Sequence, residues 1–434
     1  MTATQAPGVA PADATPADAT PADATPPDTA PLGPGGTRAV AVDVLRGLVM
    51  VLMTVDHARD YSAGPGRVGD PMDLDAVTPL LFWLRWLSHF CAPVFVLLAG
   101  VSARFQGERM TRAALSHHLA VRGLVLVVLE FTVVDWAWNF NPAWPLKYAQ
   151  VIWGIGLSLL ALALLVRLPV RAVALVGLAL VAGHNLFDGV RVAGNGPLRY
   201  LWAVLHQREV LPLAGGFSVR TSYPVLPLVG LTALGYALGG WYTGRFRADA
   251  LAPLRRRRLA LAGASCVALF VVLRTTNLYG DPSPAVLGPG LGRTVLSVLN
   301  VTKYPVSLSF ALMTLGPALL LLALWDGWGR GGDQGRPVPR WTAPLALLGR
   351  VPMFFYVAHL YVLHAAVLVA ALLAGFPPQA FDFGARIGGL PEAFGFPLWV
   401  TVPFALATVA ALYPACRWYA RLRASRRYAW TRYV

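Results

Sequence analysis

Long apolar runs, repeated along most of the chain and separated by short basic connections, constrain the fold more than any other feature. Ten such segments lie at approximately 39–57, 78–103, 117–138, 147–167, 170–187, 222–241, 259–275, 304–325, 342–374 and 396–416. A weaker stretch, 198–213, fits an interfacial or re-entrant element. A bilayer core about 30 Å thick is crossed by roughly 20 apolar residues in a helix, which satisfies every backbone polar group internally. Charged residues are 13% of the 434, about half the share of a soluble domain. These features predict an all-α fold: a polytopic integral membrane helix bundle with about ten transmembrane helices. A string of soluble domains is excluded.

The connections set an orientation. Arg104, Arg109, Arg112 and Arg122, then Arg167 and Arg171, Arg245, Arg247 and Arg255–Arg258, Arg330, Arg336 and Arg340, and the tail Arg417–Arg432 all fall on one side. The alternate connections are poor in Lys and Arg, and the first of them carries Asp60, Asp70, Asp73 and Asp75. The positive-inside rule then predicts a multi-pass protein of the plasma (bacterial inner) membrane with both termini cytoplasmic. It also accounts for the formal charge of +15, so the lipid bilayer is the expected partner and nucleic acid is not. Cys91, Cys266 and Cys416 are isolated, which argues against disulfides and a thiolate metal site.

Residues 1–37 repeat PADAT three times from Pro11 and then decay into Pro and Gly. Such a composition cannot bury a core, and it lacks the basic start and apolar run of a signal peptide. The domain reading is a disordered cytoplasmic tail at 1–37, a transmembrane domain at 38–418 and a basic cytoplasmic tail at 419–434.

Ionisable groups at membrane depth are costly and usually face a bundle interior or a wet cavity. The first segment, RAVAVDVLRGLVMVLMTVDHARDY, carries Asp43, Arg46, Asp56 and His57. On a helix, Asp43, Arg46, Met50 and His57 fall within roughly 60° of one another, and Asp43 to His57 spans roughly 21 Å. Asp56 projects away from that stripe. Asp43 and Arg46 are either a helix-entry pair or, more sharply, the pair whose Arg46 is a ligand for phosphates arriving from the cytoplasm. His57 is either an outer cap or a catalytic base.

The other membrane histidines also fall at mid-depth or in the outer half. His89 lies in SHFCAPVFVLLAG, His184 precedes Asn185, and His359 and His364 lie in FFYVAHLYVLH with Tyr356 one turn before. Lys303 opens the eighth segment in NVTKYPVS. A single membrane histidine is more often a helix–helix hydrogen bonder, but several together describe a polar reaction chamber. His359 and His364 are roughly 140° apart on a helix, so only one of them points into a narrow site. Arg85 shares a face with His89, and Glu130 lies at a comparable depth as an ion-pair partner for Arg85. Trp136, Trp138 and Trp144 with Asn139 and Asn141 fit an interfacial belt better than a sugar platform. No HExxH or similar ligand set occurs, so no metal is expected.

Several stretches resemble the bacterial branch of the heparan-α-glucosaminide N-acetyltransferase-like membrane proteins, a transmembrane acyltransferase superfamily. They are DVLRGLVMVLMTVDHARDY, SHFCAPVFVLLAG, QVIWGIGLSLL, HNLFD, YPVLPLVGLTALGYALG, NVTKYPVSLSFALMTLGP and RVPMFFYVAHLYVLH. The similarity runs from about Arg38 to Trp418. It implies transfer of an acetyl group from cytoplasmic acetyl-CoA, the donor substrate, to the amine or hydroxyl of an extracytoplasmic sugar or cell-envelope glycan. A homodimer is compatible with it. The lysosomal members place an asparagine where this chain has His57 and an aspartate where it has His89. They carry a catalytic histidine in the first exterior loop, where this chain has none. His57, His89 and His359 are therefore assigned as catalytic candidates from chemistry. Asp56, His184, Asn185, Lys303, Tyr356 and His364 are assigned as the polar lining, and Asp43 and Arg46 as the acyl-CoA contacts. The rival reading is a transporter moving a small polar solute through the same bundle.

Overall fold

The computed structural model describes residues 1–2, 39–63, 70–247, 249–288, 290–326, 328, 339–425 and 427–433. The low-complexity tail expected at 1–37 lies outside the described residues except for its first two. Helix α1 (Val40–Ser62) is followed by α2 (Pro79–Ser88), α3 (Cys91–Gly107), α4 (Arg112–Leu129) and α5 (Asp135–Asn139). Next come α6 (Val151–Leu165), α7 (Val170–Gly183), α8 (Pro197–Leu205), α9 (Val225–Gly239) and α10 (Ala252–Thr276). Helices α11 (Leu291–Leu299), α12 (Leu308–Trp325), α13 (Ala343–Arg350), α14 (Pro352–Leu373) and α15 (Thr401–Ala424) complete the bundle. Seven of the described helical stretches are long and apolar enough to cross a membrane, and α6 is a shorter apolar one. The protein is a polytopic helical membrane protein, and each of the ten apolar segments corresponds to a helix or a broken pair.

The breaks have local causes. The segment at 78–103 divides at His89–Phe90 because Pro93 has no N–H to bond the carbonyl of His89. The segment at 342–374 divides at Val351 (φ −126°, ψ 47°), the residue before Pro352, where the helical conformation is sterically disfavoured. Thr78, Thr111 and Ser307 begin α2, α4 and α12 by accepting a backbone N–H three residues on. Between α4 and α5 the chain makes a π-turn, Glu130–Val134. There the carboxylate of Glu130 accepts the N–H of Trp153 at 2.8 Å, satisfying an orphan donor in the first turn of α6. Glu130 therefore caps a neighbouring helix; the expected pairing with Arg85 does not form.

Helix α1 lies at the centre and packs on α2, α3, α12, α13, α14 and α15. Its polar residues are consequently enclosed by protein rather than by lipid. Several neighbours meet backbone to backbone at glycine. A Cβ on Gly235 would lie 1.9 Å from the carbonyl oxygen of Leu97, and one on Gly100 would lie 2.0 Å from that of Thr232. The α1–α13 crossing is equally close, with Gly47 against Leu345 and Gly349 against Asp43. Small residues at such crossings let helices approach where no hydrophobic drive between them exists.

Two features escape a hydropathy reading. One is the short amphipathic α11. The other is a three-stranded sheet in which β1 (Leu146–Ala149) pairs in parallel with β3 (Ser218–Thr221), which pairs antiparallel with β2 (Val210–Pro212). The weaker stretch at 198–213 becomes α8 and β2, not a span.

Candidate active site

A cavity of about 260 Å³ opens at the Ser62 end of α1. Asp56, His57, Arg59 and Asp60 of α1 line it, together with Arg85 of α2 and Trp138 of α5. Tyr356 of α14 and the segment before α12, with Lys303 and Tyr304, close the other side.

His57 is held from behind by His359. Its Nδ1 lies 2.7 Å from Nε2 of His359, and Nδ1 of His359 lies 3.0 Å from the Phe355 carbonyl. A carbonyl only accepts, so His359 carries its proton on Nδ1, and with both rings neutral its Nε2 is an acceptor. His57 then donates from Nδ1, which leaves the lone pair on Nε2 of the ring that lines the cavity. The two imidazole planes are nearly parallel, 11° apart with centroids at 5.0 Å. Trp138 (5.1 Å) and Tyr356 (6.2 Å) meet His57 edge-on and restrict its rotation. This is the arrangement of a base with an orienting partner.

Beside it, Asp56 is fully committed to cations. Arg85 Nη1 donates to both of its oxygens at 3.1 and 2.8 Å, and Arg59 pairs with Asp56 at 2.8 Å and with Asp60 at 2.5 Å. Among the described residues no carboxylate pairs with Lys303, whose Nζ sits 5.3 Å above the Tyr304 ring. The cavity thus holds Arg59, Arg85 and Lys303 against Asp56 and Asp60, leaving one uncompensated cation.

Of the residues assigned from sequence, Asp56, His57, Lys303 and Tyr356 line the cavity, and His359 stands directly behind it. The others lie elsewhere. His89 is 1% exposed and packs against Phe310, although its neighbours Ser88 and Cys91 reach the cavity. His364 is 0% exposed, with Nδ1 2.9 Å from the Ala137 carbonyl and Nε2 2.9 Å from that of Gly388. It is stacked between Phe140 and Tyr61 and ties α14 to α5. Asn185 accepts the N–H of Leu308 at 2.9 Å and, like His184, stands off the cavity. Asp188, just past the end of α7, accepts from Asn185 at 2.7 Å. Burial alone would push its carboxyl up, but the bonds from His206 and Asn185 outweigh that and hold it below the usual carboxylate range.

Asp43 and Arg46, assigned to acyl-CoA from the sequence, lie at the opposite end of α1 from the cavity. Arg46 donates to Asp43 (3.3 Å), the Gly349 carbonyl (3.0 Å), the Leu98 carbonyl (3.4 Å) and Ser102 (2.8 Å). It thereby joins α1 to α3 and α13. Residues that sequence reasoning left out of the site are Arg59, Tyr304 and Tyr223. Arg59 had a local signal, since it is three residues from Asp56 on one helix.

The family model described as heparan-alpha-glucosaminide N-acetyltransferase, catalytic, matches residues 38–275. The chain belongs to that family. No curated protein matches the chain. The matched part, just over half of the sequence, supplies His57, Asp56, Arg59, Arg85, Trp138 and Tyr223. Lys303, Tyr304, Tyr356 and His359 come from beyond its end, so the cavity joins the family's catalytic segment to the C-terminal helices. Membership makes the protein one of a membrane acetyltransferase-type enzyme family.

Proposed function

We propose that the protein moves an acetyl group from cytoplasmic acetyl-CoA to an amine or hydroxyl of an extracytoplasmic sugar or glycan, with His57 as general base. The observation that carries this reading is the relay from the Phe355 carbonyl through His359 to His57 at a cavity wall. The acceptor attacks the thioester carbonyl carbon while its proton passes to Nε2 of His57. The tetrahedral oxyanion forms beside Lys303, the cation without a carboxylate partner. Collapse breaks the C–S bond, and the imidazolium returns its proton to the departing thiolate, giving free CoA. His359 stabilises the charged ring by accepting from Nδ1, and the Asp56–Arg85–Arg59 network holds α1 and α2 in register.

The basic connections support cytoplasmic placement of the Val40 end of α1. Arg122 lies within electrostatic reach of Arg46 and Arg423 there, and Arg423 bonds the Arg350 carbonyl at 2.7 Å. Arg122 is therefore our choice for the CoA phosphates. Arg122→Ala is expected to weaken acetyl-CoA binding by about ten- to hundredfold, the scale of a charge-assisted bond. Arg46→Ala is expected to lower the thermal midpoint with donor affinity kept in the folded fraction. Calorimetric titration beside a melting curve distinguishes them, and the opposite pattern would return the phosphate role to Arg46.

The activity itself is tested with purified protein in nanodiscs. Acetyl-CoA plus a panel of amino sugars and hydroxylated glycans should release free CoA and yield an acetylated product by mass spectrometry. Counterflow of a solute with no thioester chemistry across the panel would replace this reading with the transporter.

A further inference from the structure

We propose that His184, Asp188 and His206 form a divalent-cation site, of the kind that takes Zn²⁺, separate from the cavity at His57. One nitrogen or oxygen from each of the three lies within 4.8 Å of those of the other two. His184 opens the tight helical turn His184–Phe187 that ends α7, and Asp188 follows it directly, so one short stretch of chain supplies two of the three groups. His206 arrives from the C-terminal end of α8. Its ring is edge-on to that of His184 at 5.5 Å and 65°, which lets both imidazoles aim a nitrogen at a common point.

The state of these side chains is unusual for a structural pair alone. His184 and His206 are 2% and 1% exposed. His206 meets Asp188 at 3.3 Å through Nε2, yet its Nδ1 finds no hydrogen-bond partner. Among the described residues neither ring nitrogen of His184 makes a well-formed hydrogen bond, although the backbone of Val306 interacts with its ring. Buried polar atoms left so are uncommon and call for a ligand. Asn185 holds one oxygen of Asp188 at 2.7 Å, which turns the other towards His206. A carboxylate fixed in this way is what orients a metal ligand. Trp202 and Phe187 wall the cluster beside His206.

Two imidazoles and one carboxylate are a Zn²⁺ donor set that leaves a fourth position open. Ligand bonds of about 2.0–2.2 Å require the three atoms to close inward from their present separation by rotation of the side chains. The sequence spacing predicts no metal here because the third ligand comes from a different helix. The position has a consequence for the cavity. His184 lies against Val306 and Asn185 binds Leu308, at the end of the segment that carries Lys303 and Tyr304. Asp281 holds the same segment from the other side, accepting from Thr302 and Ser307 at 2.8 and 2.7 Å. A bound cation would fix that segment from the α7 side.

The full-length protein in detergent, stripped with EDTA and exposed to Zn²⁺ or Co²⁺, tests this directly. Expected are one equivalent of metal after gel filtration, a rise of several degrees in thermal midpoint, and the intense visible bands of four-coordinate Co²⁺. The double variant His184→Gln/His206→Gln should lose all three, while His117→Gln retains them. Should the double variant fail to fold, His206→Cys serves instead. It should keep the Co²⁺ and add a thiolate charge-transfer band absent from the parent. The proposal is overturned if the parent retains well under a tenth of an equivalent with no shift, which makes the cluster a plain His–Asp ion pair. It is equally overturned if His206→Cys binds Co²⁺ with an unchanged spectrum, which places the metal elsewhere.

Discussion

His57→Ala is expected to lower single-turnover acetyl transfer by roughly 10²–10⁴-fold, the usual scale for a lost general base, with acetyl-CoA affinity close to that of the parent. His57 is the cavity-lining ring whose tautomer is dictated by its neighbours, so its removal takes away the proton acceptor and leaves the donor's binding groups untouched. His359→Ala should act through the same atom. It leaves His57 free to rotate and to place its proton on either nitrogen, so a loss of roughly one to two orders of magnitude is expected, smaller than that of His57→Ala. His359→Gln, which can still accept from His57, should recover part of that loss. Turnover by a folded His57→Ala protein equal to the parent's would remove His57 as the base.

The second large effect concerns stability. Arg85→Met leaves the Asp56 carboxylate, whose side chain is 10% exposed, with Arg59 as its remaining partner. Breaking a buried pair by removing one charge costs about 3–5 kcal/mol, because the other charge stays desolvated. A marked fall in the thermal midpoint of Arg85→Met is therefore expected. The double variant Asp56→Asn/Arg85→Met should recover much of it, since no stranded carboxylate remains. A melting curve for Arg85→Met that overlays the parent's would show that the network contributes little to holding α1 against α2.

What the amino-acid sequence made legible was whatever depends on neighbours in the chain. Apolar runs of about twenty residues marked the helices because a bilayer leaves so few alternatives, but the runs at 78–103 and 342–374 were read as unbroken, and the breaks near Pro93 and Pro352 emerge only in the structure. His57, Asp56 and Lys303 were grouped by their depth in the apolar segments, and Tyr356 by lying one turn before His359. Depth could not choose among partners of similar depth. Glu130 was the obvious carboxylate for Arg85, but the π-turn swings it to the start of α6, and Asp56 takes its place. The pairing of His57 with His359 joins residues 302 positions apart, and no local pattern announces it. Asp43 and Arg46 looked available because helical spacing shows who shares a face and is silent about what covers it. The strands β1 and β3 are four residues each and bridge distant segments, so they carry no periodic signal.

The glycine crossings bear on how anything enters or leaves the bundle. Where Gly235 meets Leu97 and Gly349 meets Asp43, the helices are already at backbone contact. No side chain intervenes there to reshape itself and let one helix tilt past another. Any rearrangement around the cavity then falls to parts not joined at backbone contact, among them the connection from 301 to 307, which side-chain bonds to Asp281 and Asn185 hold in place. Substitutions that loosen those side-chain bonds are therefore expected to alter access to the cavity far more than substitutions on the lipid-facing sides of the helices.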